Sequence, residues 1–292
     1  MMNPVLRREA VTTMRNWKTY GALLIFLAIT SVGAAFYVYA SMFQNYLYNT
    51  DPAAMVWLYV VLAGVQMGLV MLATPAIAAG SISGERERQT LDLLLVTKMT
   101  PLSIVWGKMM SSLIYVLLLV VATVPVFGVA FYYGSISLGS ILLMLLFILV
   151  MSLALSAVSV FLSCIFRKTV ISIVLMYLII GVLCFGTLIL LAFYALFAGR
   201  SGQIDMSLWI SVLILLPNPG AAFFSLMDMQ MGSGIVHGLL NMAYYHDGNL
   251  VYWLAEHLWM AHMAASLAVT ALFVWLSARM IDPVREKRRR KS

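Results

Sequence analysis

The chain has 292 residues, of which 63% are hydrophobic and 10% charged, and its mean hydropathy is +0.98. Soluble domains are roughly half apolar, so this composition excludes them and points to an integral membrane protein. The net charge of +7 raises the question of nucleic acid. Its basic residues flank apolar stretches, however, where they set membrane orientation, and no nucleic-acid partner is expected.

Residues 1–19 read as an amphipathic interface helix. Asn3 suits a helix cap and Pro4 the first helical position. Leu6, Ala10, Met14 and Trp17 fall on one stripe, while Arg7, Arg8, Arg15 and Lys18 project elsewhere, with Glu9 in the same segment. A basic amphipathic helix of this kind lies along the cytoplasmic membrane surface, against lipid. The first 18 residues lack an uninterrupted apolar core of the signal-peptide type, so the first span is expected to be its own insertion signal.

About 20 apolar residues cross a hydrocarbon core of roughly 30 Å. Six stretches meet that length: Tyr20–Met42, Met55–Ala79, Ser103–Tyr133, Leu138–Ile165, Thr169–Ala198 and His257–Ala278. Lipid offers no partner to backbone polar groups, so helices are expected, and the alternating ten-residue pattern of a barrel is not seen. Spans 1–5 occupy residues 20–198, an outer loop 199–256, span 6 residues 257–279 and a basic tail 280–292. With both termini cytoplasmic, 17 of the 18 Lys and Arg residues fall on the inner side and only Arg200 outside, as the positive-inside rule requires.

A rival seventh span, Ser207–Met227, would put the basic tail on the opposite face. It is also interrupted by Pro217-Asn218-Pro219-Gly220, where two prolines each remove a helix hydrogen bond and bias the preceding residue away from helix. The stretch is therefore expected to form a re-entrant or surface-lying helical hairpin in the outer loop between spans 5 and 6. Cys164 and Cys184 both fall inside apolar segments and read as packing residues.

The densest charge ahead of the tail lies between spans 2 and 3, in Gly80-Ser81-Ile82-Ser83-Gly84-Glu85-Arg86-Glu87-Arg88-Gln89-Thr90-Leu91-Asp92. A helix over 83–97 would place Glu85, Arg88 and Asp92 on one face and Leu91, Leu94 and Leu95 on the other. The run from Gly80 to Lys108 resembles the coupling-helix region of ABC-2 type transporter permeases, which has the form G-x-I-x-x-E-R-E-x-G-T-L-x-x-L-L followed by T-P and G-K. Asn3-Pro4-Val5-Leu6-Arg7-Arg8-Glu9 is similar to that family's N-terminal start. Gln89 departs from the pattern, which commonly has Gly there. Because Gln is the better helix former, the expectation is a coupling helix that starts earlier or runs straighter.

The resemblance covers the whole chain in topology and implies one ABC-2 type transmembrane domain, residues 1–292, in a bacterial plasma membrane. It implies partners as well: a second permease half, as homodimer or heterodimer, and cytoplasmic ATP-binding cassette subunits that bind ATP and Mg. By the same similarity Glu85, Arg86, Glu87, Arg88, Thr90 and Asp92 would dock on the ATPase, with the N-terminal helix beside them. The chain contains no G-x-x-x-x-G-K-[ST] phosphate cradle, so neither catalysis nor a cofactor is expected in it.

An ion-coupled carrier would place ionisable groups at membrane depth, whereas only His262 lies well inside a span and Lys108 and Arg279 lie near span ends. That suits an exporter of apolar or amphipathic molecules, with Gln66, Thr123 and Tyr132 as polar candidates for its pathway, although polar side chains also join helices. A non-transporting anchor or sensor subunit that recruits an ATPase is the main alternative. The histidines of the outer loop and the start of span 6, His237, His246, His257 and His262, lack the H-E-x-x-H zinc spacing. Met227, Met229 and Met231 supply thioethers of the type that select Cu(I), although adaptable packing explains them as well. No metal site is expected.

Overall fold

A computed structural model of the chain describes residues 17–44, 52–90, 100–134, 136–200, 208–234, 236, 240 and 250–281. Among them every regular element is a helix: α1 (Trp17–Gln44), α2 (Pro52–Ala78), α3 (Ser83–Glu87), α4 (Pro101–Gly134), α5 (Leu138–Ile165), α6 (Thr169–Gly181), a π-helical turn (Val182–Gly186), α7 (Thr187–Arg200), α8 (Leu208–Leu215), α9 (Pro219–Met231), α10 (Leu250–Glu256) and α11 (Leu258–Ile281). Six are long and apolar enough to cross a membrane, in the order and nearly at the boundaries that the sequence gives, with α6, the π turn and α7 forming the fifth. Asn3, Pro4, Arg7, Arg8, Glu9 and Asp92 lie outside the described residues, as does the part of the expected coupling helix beyond Thr90.

The chain divides into two compact units, residues 1–176 with 269–292 and residues 177–268, with the boundaries inside α6 and α11. In the first, α2, α4 and α5 pack on one another and α1 packs on α2 and α4. Tyr59 of α2 meets Phe127 of α4 edge-on, with ring centroids 6.1 Å apart, and its hydroxyl donates to the Ser140 carbonyl of α5 at 3.2 Å. Small side chains let backbones approach in lipid. Ala78, Ala157 and Cys164 accordingly share a buried cluster with Val105, Met109 and Val160.

Most polar residues in these spans close on their own helix. Thr74 donates to the Val70 carbonyl and Thr123 to that of Val120, both at 2.7 Å. Ser112 donates to the Met109 carbonyl at 2.7 Å, and its hydroxyl also meets that of Ser156 at 2.6 Å, which joins α4 to α5. Pro75 and Pro125 lie inside helices, a placement that membrane helices tolerate.

In the second unit, α8 and α9 meet at 111° across the Pro217-Asn218-Pro219 break. Asn218 caps α9 by accepting from the Ala221 N–H at 3.0 Å, Pro219 occupies the first helical position, and Gly232 ends the helix in the left-handed region at φ 65°. The Asn218 amide nitrogen also donates to the Cys184 carbonyl at 3.0 Å and to the Thr187 hydroxyl at 2.7 Å. A π turn takes carbonyls out of the ordinary helix ladder, and Asn218 supplies one with a donor.

His262 is held through Nδ1 against the Leu216 carbonyl at 2.8 Å. That contact ties α11 to the end of α8. Met227 is buried while Met229 is exposed, because residues two apart on a helix point to opposite sides. The three thioethers therefore do not converge, and the copper reading is set aside on that geometry.

Candidate functional site

The charged run after α2 folds as a single helical turn and then stops. α3 ends in paired reverse hydrogen bonds, from Gln89 N to the Arg86 carbonyl at 3.1 Å and from Thr90 N to the Glu85 carbonyl at 2.9 Å. That is the Schellman arrangement, in which the residue past the helix end adopts the left-handed conformation that glycine favours. Here Gln89 adopts it, at φ 56°. The expectation that Gln89 would straighten or advance the helix is corrected: the backbone turns as it would for Gly, with a side chain in place. Helix α3 therefore ends before Gln89, and the facing expected of Glu85 and Arg88 with Asp92 lies outside the described residues at Asp92.

The start of α3 is clasped to α5. The Ser163 hydroxyl accepts from the backbone N–H of Ile82 at 3.0 Å and of Ser83 at 2.8 Å and donates to the Ser83 hydroxyl at 3.1 Å. The first N–H groups of any helix lack intrahelical partners, so this one side chain supplies what a local cap would. The Ser83 hydroxyl also lies 3.2 Å from that of Thr169, the first residue of α6. Gly80 permits the approach, since a Cβ there would fall 3.1 Å from the Thr169 methyl.

Each charge of α3 then has its own place. Glu85 pairs with Lys108 of α4 at 3.1 Å and accepts from the Thr90 hydroxyl. Lys108 is 7% exposed, and a buried ammonium needs such a partner. Arg86 donates from Nη1 to the Cys164 carbonyl at 3.3 Å, near the end of α5. Glu87 accepts at Oε1 from Thr169 N at 2.9 Å and at Oε2 from the Thr169 hydroxyl at 3.0 Å. Arg88 and Gln89 are exposed.

Clefts open in this unit. A polar one of about 250 Å³ lies beside α3 and is lined by Gly80, Ser81, Glu85, Arg88, Lys108 and Ser111 among others. An apolar one of about 370 Å³ lies between α1, α2 and α4, with Phe26, Ile29, Leu72, Ala76, Tyr115 and Leu119 in its walls. The three pathway candidates are not brought together. Gln66 is fully buried in α2, where neither amide atom has a hydrogen-bond partner among the described residues. Thr123 is fully buried in α4, whereas Tyr132 is 79% exposed near its end.

Sequence reasoning missed Lys108, Ser163 and Thr169 as partners of α3. Lys108 had one advance signal, the proximity of Gly107-Lys108 to Glu85-Arg86-Glu87 in the same motif; Ser163 and Thr169 had none, because bonds reaching 80 to 86 residues along the chain leave no local pattern.

Six apolar spans, with a charged connection folded back onto one end of the helix bundle, define a multi-pass helical membrane protein. A family model for ABC-2 family transporter proteins matches residues 40–279. The chain belongs to that family and is a permease of an ABC transporter, and the membership implies association with ATP-binding cassette subunits. No curated protein matches the sequence.

Proposed function

We propose that this chain is the membrane subunit of an ATP-driven exporter of an apolar or amphipathic molecule, such as a drug, lipid or peptide. Separate ATPase subunits bind ATP and Mg and dock on the connection that contains α3, with the N-terminal helix beside them. A second permease half, as homodimer or heterodimer, completes the assembly in a bacterial plasma membrane. Both termini are cytoplasmic, the α8–α9 hairpin belongs to the outer loop, and residues 1–292 act as one ABC-2 transmembrane domain.

The observation that carries this reading is the seating of α3. A five-residue helix is too short to be stable alone. This one is fixed to α4 by Glu85, to the end of α5 by Arg86 and Ser163, and to the start of α6 by Glu87. A push on α3 therefore reaches three spans at once, which is what a nucleotide-driven switch of a two-state membrane element requires. The apolar cleft between α1, α2 and α4 suits a greasy cargo better than an ion.

The test is ATP hydrolysis by the chain reconstituted with its ATPase in lipid nanodiscs, across a panel of apolar and amphipathic compounds. Stimulation by some of them supports export. A bound ATPase whose rate no compound changes would instead mark an anchoring or sensing subunit.

A further inference from the structure

The polar cleft beside α3 and the apolar cleft between α1, α2 and α4 follow one another along the same two helices. On α4, Lys108 and Ser111 line the polar cleft and Tyr115 and Leu119 the apolar one. These positions lie three or four residues apart and so share a helix face. Across from them, Ala73 and Ala76 line the apolar cleft, Gly80 and Ser81 the polar one, and Ile77 belongs to both. Together they make one groove, greasy toward mid-span and polar where it reaches α3. At the polar end Glu85 and Lys108 offset each other's charge, which leaves the exposed Arg88 as the excess cation of the lining. The Ser81 hydroxyl oxygen is buried there with no hydrogen-bond partner among the described residues, a placement that costs free energy until a partner is supplied.

We propose that this groove is a binding site for an anionic membrane lipid, with an acyl chain in the apolar part and a phosphate-type head at Ser81 and Arg88. The apolar cleft, at about 370 Å³, is near the small end of the roughly 300–1,000 Å³ of ligand sites, which suits one chain better than a bulky ring system. Chain burial alone selects nothing within a bilayer, because lipid tails are as apolar as the groove. The head therefore decides, and a basic pocket between membrane helices favours an anionic one. Such a head rests beside the Glu85–Lys108 pair that seats α3. The proposal goes beyond the exporter reading, since the lining defines the site whether the bound molecule is moved or kept.

The experiment counts lipid bound to the full chain in detergent by native mass spectrometry, with lysophosphatidylglycerol and lysophosphatidylcholine as the probes. The wild-type chain is expected to bind lysophosphatidylglycerol about fivefold more tightly, the effect of one basic side chain at a membrane surface. Arg88→Gln is expected to abolish that preference and to leave the affinity for lysophosphatidylcholine unchanged. Ala76→Trp, which fills the apolar part from an exposed position, is expected to weaken both probes roughly tenfold by steric exclusion. Ala76→Leu, a smaller filling, should weaken both to a lesser degree, so that the series remains readable if the Trp variant fails to elute as a monodisperse species. Equal binding of the two probes by the wild type, or a preference that survives Arg88→Gln, would remove the head from the polar end and overturn the proposal. Undiminished binding in the Ala76 variants would remove the chain from the groove and overturn it equally. Either failure leaves the exporter reading standing, because that reading is tested by ATP hydrolysis.

Discussion

Glu87 caps α6 from outside: its two carboxylate oxygens accept from the backbone N–H and the hydroxyl of Thr169, at 2.9 and 3.0 Å. Carboxylates are favoured at helix N-termini by the unpaired N–H groups and the helix dipole. The usual cap comes from the residue just before the helix. Here it comes from 82 positions away, so the cap of a span is also a tether to the charged connection.

Glu87→Gln should lower stability by about 0.5–1 kcal/mol, and Thr169→Ala by a similar amount. The pair should be non-additive, because each change alone removes much of the same contact. Thermal unfolding of the four proteins in detergent measures this, and full additivity would mean that the cap is not formed.

Lys108 is mostly buried and needs Glu85. Glu85→Gln leaves an ammonium with a weaker partner and should cost about 1–3 kcal/mol. Lys108→Met combined with Glu85→Gln should be milder than Glu85→Gln alone, because the isolated buried charge is gone. The midpoint of thermal unfolding distinguishes the two orders.

Gln89 holds a left-handed φ of 56° that costs a side-chain-bearing residue roughly 1 kcal/mol relative to glycine. Gln89→Gly should therefore stabilise the turn at the end of α3 by up to about 1 kcal/mol, offset in part by the greater freedom of glycine when unfolded. Slower amide exchange at Thr90, whose N–H closes the turn on the Glu85 carbonyl, reads this out locally.

The spans were legible because about 20 apolar residues in a row permit little else, and the proline pair announced the break between α8 and α9 by removing backbone donors. The end of α3 was not legible. Its turn is made by backbone hydrogen bonds at Arg86 and Glu85, while Gln89 hides the conformation that a glycine would have signalled. The acidic residues at 85 and 87 read as docking charges because their intramolecular partners, Lys108 and Thr169, come from other helices. The π turn at Val182–Gly186 left no trace in an apolar run, and Asn218 gained its second role only from tertiary contact.

Asn218→Ala removes the cap of α9 and the donor to the Cys184 carbonyl together. A cost of about 2–3 kcal/mol is expected from the lost cap and the carbonyl left bare. Asn218→Asp keeps the cap acceptor but not the amide donor and should recover only the part due to the cap, as unfolding midpoints would show.

Gln66 buries an amide with no partner among the described residues, at a cost of about 1–3 kcal/mol. Gln66→Leu should raise the unfolding midpoint. If the amide contacts cargo, the same variant will lose compound-stimulated ATP hydrolysis while its basal rate stays the same.

The central claim is that α3 carries the drive from the ATPase into the spans. It is tested most directly by the ATP hydrolysis rate of the ATPase subunit alone, with the wild-type chain, and with Glu85→Lys/Glu87→Lys, all in nanodiscs. The structure places these charges against Lys108 and Thr169, so reversing them should unseat α3. The wild-type chain is predicted to change the rate and the variant, still inserted in the membrane, to return it to that of the ATPase alone. A variant that regulates hydrolysis as the wild type does would contradict the account.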